Sequence, residues 1–263
     1  MSFIEVKNVW KTYQDQVVLE NINLHVKQGE FVTIVGASGC GKSTFLRMLL
    51  GQEIPSRGHI FCAGEPLREE PDEKRGIVFQ RYSVFPHLTV LENVVIGIEF
   101  SANRWWGKLW GEAKRNAIAA ARELLSGVGL SHAEDKYPHA LSGGMQQRLA
   151  IAQSLIKKPK ILLLDEPFGA LDPGIRGDMH ELVLSLWRET GTTIFMVTHD
   201  LKEGFYLGTR MLVFDKLRHD PDAPQRYGAG ITYDLPIGNT EQQLYQKIKQ
   251  EVVTTERLSE QQR

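Results

Sequence analysis

Cysteine is nearly missing from this chain. Cys40 and Cys62 are the only two in 263 residues, too few for a disulfide framework. No run of about 18 apolar residues occurs, so no segment is expected to cross a bilayer as a helix. Neither sign of charge dominates: 31 Lys and Arg stand against 32 Asp and Glu, and no broad electrostatic footprint for nucleic acid results. The opening Met1-Ser2-Phe3-Ile4-Glu5 lacks the basic and apolar blocks of a signal peptide. Internal repeats and low-complexity segments are missing too. A cytosolic location is expected, with any membrane role carried through a separate chain. What is present, 42% hydrophobic and 24% charged residues, suffices for a sizeable core.

The pattern along the chain predicts an α/β fold. Phe3, Glu5, Lys7 and Val9 alternate with Ile4, Val6 and Asn8, and Val17 to Val26 reads similarly, which predicts two antiparallel strands. Phe31 to Val35 is continuously apolar and fits a buried parallel strand, followed by a helix from Ser43 to Leu50 that Gly51 closes. Gly76 to Phe79, Ile161 to Leu164, Thr193 to Val197 and Met211 to Phe214 predict further strands, and Ile231 to Leu235 one more. Helices are expected at Pro173 to Thr190 and Asp200 to Leu207. The stretch from Leu88 to Leu155 reads as helical, with breaks. Together these predict a mostly parallel sheet core, an antiparallel β subdomain and an inserted helical subdomain at about residues 88–158. Thr240 to Arg263 is polar and reads as a helix ending in a tail.

Gly36-Ala37-Ser38-Gly39-Cys40-Gly41-Lys42-Ser43 fits GxxxxGK[ST] after a strand and before a helix, the context that identifies a phosphate-binding loop. Its glycines let backbone N–H groups close around phosphates at a helix N-terminus, with Thr44 next in line. Lys42 adds a point charge, and Ser43 offers a hydroxyl to Mg²⁺. Asp165 ends an apolar strand and projects from its carboxyl edge, where a Mg²⁺ contact suits it. Glu166 comes next and points elsewhere. Gln80 and His199 each follow a strand. Ser142-Gly143-Gly144 opens a helix whose free N–H groups suit an anion. Each of these has a plainer reading. Glu166, Asp172 and Ser142 can be helix caps, Gln80 and His199 ordinary surface residues, and Tyr13 an exposed strand-end aromatic.

The order of the loop, Leu141-Ser142-Gly143-Gly144-Met145, and Ile161-Leu162-Leu163-Leu164-Asp165-Glu166 resembles the nucleotide-binding subunits of ABC transporters, from roughly Phe3 to Phe214. The resemblance implies one ATPase domain over residues 1–225, with a short extension at 226–263. It implies Mg²⁺ and ATP bound by Gly36 to Thr44, with Ser43, Gln80 and Asp165 at the metal. Glu166 would polarise the attacking water, with His199 and Gln80 completing the catalytic set, and Tyr13 would stack on adenine. Ser142, Gly143 and Gly144 would reach the ATP of a second chain in a head-to-tail dimer, whose two sites Asp172 would link. Trp105, Trp106 and Trp110 fall where the family faces its membrane subunit. The implied partners are a second ATPase chain, membrane permease subunits and, indirectly, an extracytoplasmic solute-binding protein, at the cytoplasmic face of the membrane. Asp165-Glu166-Pro167-Phe168-Gly169-Ala170-Leu171-Asp172 with Leu186-Trp187 resembles the nitrate/sulfonate/taurine group, while Phe85-Pro86-His87-Leu88 is closer to amino-acid importers.

Overall fold

β1 (Ile4–Tyr13) and β2 (Gln16–Val26) form the expected antiparallel pair. The alternation holds only to Lys7. Asn8 adopts a left-handed φ of 48°, which an asparagine tolerates, and the register slips there. Val9 is therefore buried with Ile4 and Val6, on the opposite face from the one the sequence predicts. The computed structural model describes residues 2–68, 70, 72, 74–79, 84–102, 109–218, 220, 222, 223 and 225–238.

β3 (Phe31–Gly36) leads through the glycine-rich loop into α1 (Lys42–Leu50), which Gly51 ends in a left-handed conformation as expected. β4 (Arg57–Cys62) and β5 (Glu65–Pro66) then complete a four-stranded sheet in the order β2-β1-β4-β5. The sequence reading did not find these two strands. Ile60 is the one fully inward residue of β4, so alternation carries almost no signal there.

After β6 (Arg75–Val78) the chain leaves the sheet for α2 (Val90–Ala102), α3 (Gly111–Gly127) and α4 (Gly143–Leu155), and returns as β7 (Ile161–Asp165). α5 (Pro173–Thr190), β8 (Thr193–Val197), α6 (Leu201–Leu207), β9 (Arg210–Asp215) and β10 (Gly230–Pro236) follow. The second sheet runs β10-β9-β3-β8-β7-β6, parallel from β9 to β6, with β10 antiparallel at its edge. Both faces of its central strands are covered, which explains why they are apolar apart from Thr33, whose hydroxyl reaches the Gly204 and Arg210 carbonyls, and Thr193, whose oxygen accepts from the Gly29 N–H. Val32, Ile34, Ile161, Leu163, Phe195, Val197, Leu212 and Phe214 pack with α1 and the antiparallel sheet. Leu162, Leu164, Ile194 and Met196 turn the other way, toward α4, α5 and the inserted helices. Phe45 of α1 and Phe214 of β9 are fully buried with ring centroids 5.4 Å apart, each burial stabilising the fold by about 2 kcal/mol.

Candidate functional site

Three neighbouring parallel strands end in one row. Ile34 of β3 pairs with Val197 of β8, which pairs with Asp165 of β7. The Glu166 N–H donates to the Val197 carbonyl at 3.0 Å, and the Thr198 N–H donates to the Ile34 carbonyl at 3.1 Å. The glycine-rich loop, the Asp165-Glu166 pair and His199 therefore lie side by side at the carboxyl edge, where open α/β sheets bind ligands.

The loop is shaped by close backbone approach. A Cβ on Gly36 would stand 2.1 Å from the Phe214 carbonyl oxygen, so no side chain fits there. Gly39 and Gly41 take φ of 79° and 87°, turning the chain into α1. Lys42 Nζ donates to the carbonyls of Gly36 and Ala37 at 2.7 and 2.8 Å, so the ammonium sits inside the loop. Cys40 Sγ lies 3.8 Å from the same ammonium, and burial pushes its thiol pKa up despite that charge.

Ser43 Oγ donates to Asp165 Oδ1 at 3.0 Å across 122 positions of sequence. A hydroxyl and a carboxylate brought together at the mouth of a phosphate loop are hard oxygen donors of the kind Mg²⁺ takes alongside phosphates. These residues fit that ion. Burial, the largest influence, raises the Asp165 pKa. Ser43 opposes this, Glu166 reinforces it, and Arg47 and Lys42 oppose it. Folding therefore favours the protonated form. That contribution is complete below the unfolded-state carboxylate pKa and is lost as pH rises through the higher folded value. Asp165→Asn keeps an acceptor for Ser43 and removes the charge. It is expected to raise the melting temperature of the ligand-free chain by a few degrees at neutral pH and to lose that advantage in acid. Melting curves across the acid-to-neutral range without Mg²⁺ test this, and a gain equal at every pH would count against it.

Glu166 takes a left-handed φ of 47°, rare for a residue with a side chain and worth about 1 kcal/mol or more of local strain. No basic residue stands beside Glu166 in the sequence, but His199 Nδ1 lies 3.6 Å from Glu166 Oε2 in space. Tyr13 is the last residue of β1, at the strand end. It is 39% exposed, with Lys11 Nζ 4.8 Å from its ring centroid. Burial comes first among the influences that raise its pKa. Gln80, Trp105 and Trp106 lie outside the described residues. Trp110, just before α3, is 77% exposed.

Ser142, Gly143 and Gly144, the signature of the resemblance, open α4. Ser142 is the N-cap of α4, its Oγ accepting from the Met145 N–H at 3.4 Å, and Ser142 and Gly143 are exposed. Among the described residues, Ser142, Gly143 and Gly144 make no hydrogen bond to the glycine-rich loop. A Cβ on Gly144 would meet the Ile175 side chain at 2.6 Å, so a glycine lets α4 rest on the first turn of α5. Asp172 holds the N-cap position of α5 with proline next, yet its side chain makes no capping hydrogen bond. Its carboxylate is thus not spent on the cap that the sequence allows. Sequence reasoning missed Thr198, Glu203 and His180, which join behind the site. Glu203 reads as an ordinary first-turn acid of α6, and only its burial to 7% exposure marks it out.

A strand, phosphate loop and helix with an acidic strand end beside them define a P-loop nucleotide-binding fold. The chain belongs to the ABC transporter family, whose model matches residues 19–169. It is 43% identical over 220 residues to the nitrate import ATP-binding protein NrtD of Synechocystis, covering 84% of this chain and 77% of that one. It is 41% identical over 229 residues to the spermidine/putrescine import ATP-binding protein PotA of Chromobacterium violaceum, covering 86% of this chain. The chain spans about three fifths of the length of the polyamine-import relatives it matches, 61% and 59%. The dimeric ATP-binding cassette MJ0796, solved in a post-hydrolysis state with ADP and Pi, superposes with a TM-score of 0.72 at 31% identity over 90% of this chain and 99% of that one.

Proposed function

We propose that this chain is the ATP-hydrolysing subunit of an ABC importer, working as a head-to-tail dimer on the cytoplasmic face of the membrane. The observation that carries the reading is the meeting of Ser43 with Asp165 beside the Glu166–His199 pair, all at the mouth of the Gly36–Ser43 loop. The loop would hold the phosphates of ATP, Lys42 turning from its own carbonyls to the β- and γ-oxygens. Ser43, Asp165 and Gln80 would hold Mg²⁺, which supplies charge neutralisation to the phosphates when bound. Glu166 would orient and polarise the attacking water, His199 would contact the γ-phosphate, and Tyr13 would take the adenine. Ser142, Gly143 and Gly144 would close on the ATP of the partner chain, with Asp172 linking the two sites. Such a site works by positioning and charge stabilisation, which is most of what phosphoryl transfer requires.

Opening and closing of the dimer would drive separate permease subunits, fed by an extracytoplasmic solute-binding protein. Small oxyanions or sulfonates of the nitrate/sulfonate/taurine kind are the proposed cargo. The Asp165 to Asp172 segment and the similarity to a nitrate import protein support this. Affinity purification of the chain from membranes of its own cells is expected to recover a multispanning protein. The solute-binding protein encoded beside it should then bind nitrate or taurine by calorimetry. Recovery with no membrane partner would overturn the transport reading, and a binding protein that takes only amino acids or polyamines would overturn the cargo.

A further inference from the structure

We infer that Glu203 is a positioning residue that sets His199 against Glu166, acting through Thr198 and held in place by His180. The inference rests on the roles proposed above for Glu166 and His199.

His199 has a side chain that is 65% exposed, so packing around its ring does little to orient it. Its placement must come from the backbone on either side, and both sides lead to one buried carboxylate. Glu203 Oε2 accepts from the Thr198 hydroxyl at 2.5 Å, and Thr198 precedes His199. The same Thr198 oxygen accepts from the N–H of Asp200, which follows His199, at 3.1 Å. The Asp200 side chain in turn accepts from the N–H groups of Lys202 and Glu203 at 2.8 and 3.4 Å. Residues 198, 200 and 203 thus form a closed ring of hydrogen bonds around the turn that carries the histidine.

A carboxylate whose side chain is only 6% exposed is costly unless its oxygens are filled. The second oxygen is filled by His180 of α5, whose Nε2 lies 2.8 Å from Oε1. The Nε2–H tautomer of the imidazole is the one that donates to a carboxylate oxygen. The imidazole also meets the Phe168 ring edge-on, at 5.0 Å and 67°, and Phe168 is fully buried two residues after Glu166. Tyr206 of α6 lies on the ring as well, at 5.7 Å. One imidazole thus touches the turn behind Glu166 and, through Glu203, the turn that holds His199. The 3.6 Å separation of that pair is braced from behind by side chains that do not themselves reach it.

Thr198→Val keeps the shape and removes the hydroxyl, and Thr198→Ser restores it. His180→Phe keeps a ring against Phe168 without the donor, and His180→Gln keeps a donor without the ring. Thr198→Val and His180→Phe are expected to lower kcat for ATP by roughly tenfold or more, because misplacement by about 1 Å costs that much, with nucleotide Kd unchanged. Thr198→Ser and His180→Gln should recover most of the loss. Added to His199→Ala, Thr198→Val should cause no further loss, since it acts through that histidine. Wild-type kcat in Thr198→Val and His180→Phe, or a full extra loss on the His199→Ala background, would overturn the inference. Where His180→Phe fails to fold by circular dichroism, the Thr198 pair decides alone. Normal hydrolysis by His199→Ala and Glu166→Gln would instead overturn the reading of the site itself.

Discussion

Glu166→Gln is expected to lower ATP hydrolysis at least a hundredfold while leaving ATP binding intact, the loss typical of removing a general base. The substitution is nearly isosteric. The Glu166 N–H keeps its bond to Val197, the left-handed turn at φ 47° is retained, and the amide still reaches toward His199. What disappears is the negative charge and the capacity to draw a proton from water. Uniform binding energy is untouched, so the loss should fall on kcat rather than KM. A chain that binds ATP and cannot cleave it should also accumulate as a dimer. Gel filtration with Mg·ATP should show that dimer for Glu166→Gln and a monomer for the wild type once its ATP is consumed. Near-normal turnover would remove Glu166 from the catalytic role and leave its strained turn as a structural feature only.

How far the sequence spoke depended on whether a residue's role was local. β3, β7 and β8 were legible because strands buried on both faces are almost wholly apolar, and Asp165 stood out as the charge ending such a run. Helix α5 was legible to its ends, from proline at the first position to Gly191 in a left-handed cap. β4 was not legible, because a strand with one buried side chain has no periodicity to read. The face of Val9 was misread because a single left-handed asparagine inverts everything after it. The same division runs through the site. The loop and the acidic pair are contiguous and could be read directly. The contact of Ser43 with Asp165 and the approach of His199 to Glu166 depend on strand order, which periodicity does not encode. Glu203 and His180 gave no signal at all, since a buried carboxylate and an exposed helical one look alike in sequence.

Mixing two inactive chains is expected to restore activity, and this follows from where Ser142 sits. Its hydroxyl caps α4, it and Gly143 are exposed, and Gly144 is held against α5. An arginine at 142 would place a long cationic side chain on the surface that should meet a partner's phosphate. Ser142→Arg alone should therefore hydrolyse no ATP, because in a homodimer both sites receive a blocked signature. Lys42→Ala alone should also be inactive, since both loops then lack the ammonium that the Gly36 and Ala37 carbonyls hold beside the phosphate position. In a mixed dimer the two lesions gather into one site. The other site combines the intact loop of the Ser142→Arg chain with the intact signature of the Lys42→Ala chain. Random pairing makes half the dimers mixed with one good site in each, so roughly a quarter of wild-type activity should return if the two sites act independently. Cooperation between sites would lower that fraction without bringing it to zero unless both sites must be intact. The companion mixture of Ser142→Arg with wild type tests that case, because it too leaves one complete site per mixed dimer. If each chain completes its own site, mixing two inactive chains restores nothing, while wild type diluted with Ser142→Arg loses activity only in proportion to the wild-type chains removed. Steady-state ATPase assays on the two titrations separate these outcomes, and the shape of the second curve reports whether the sites fire singly or together.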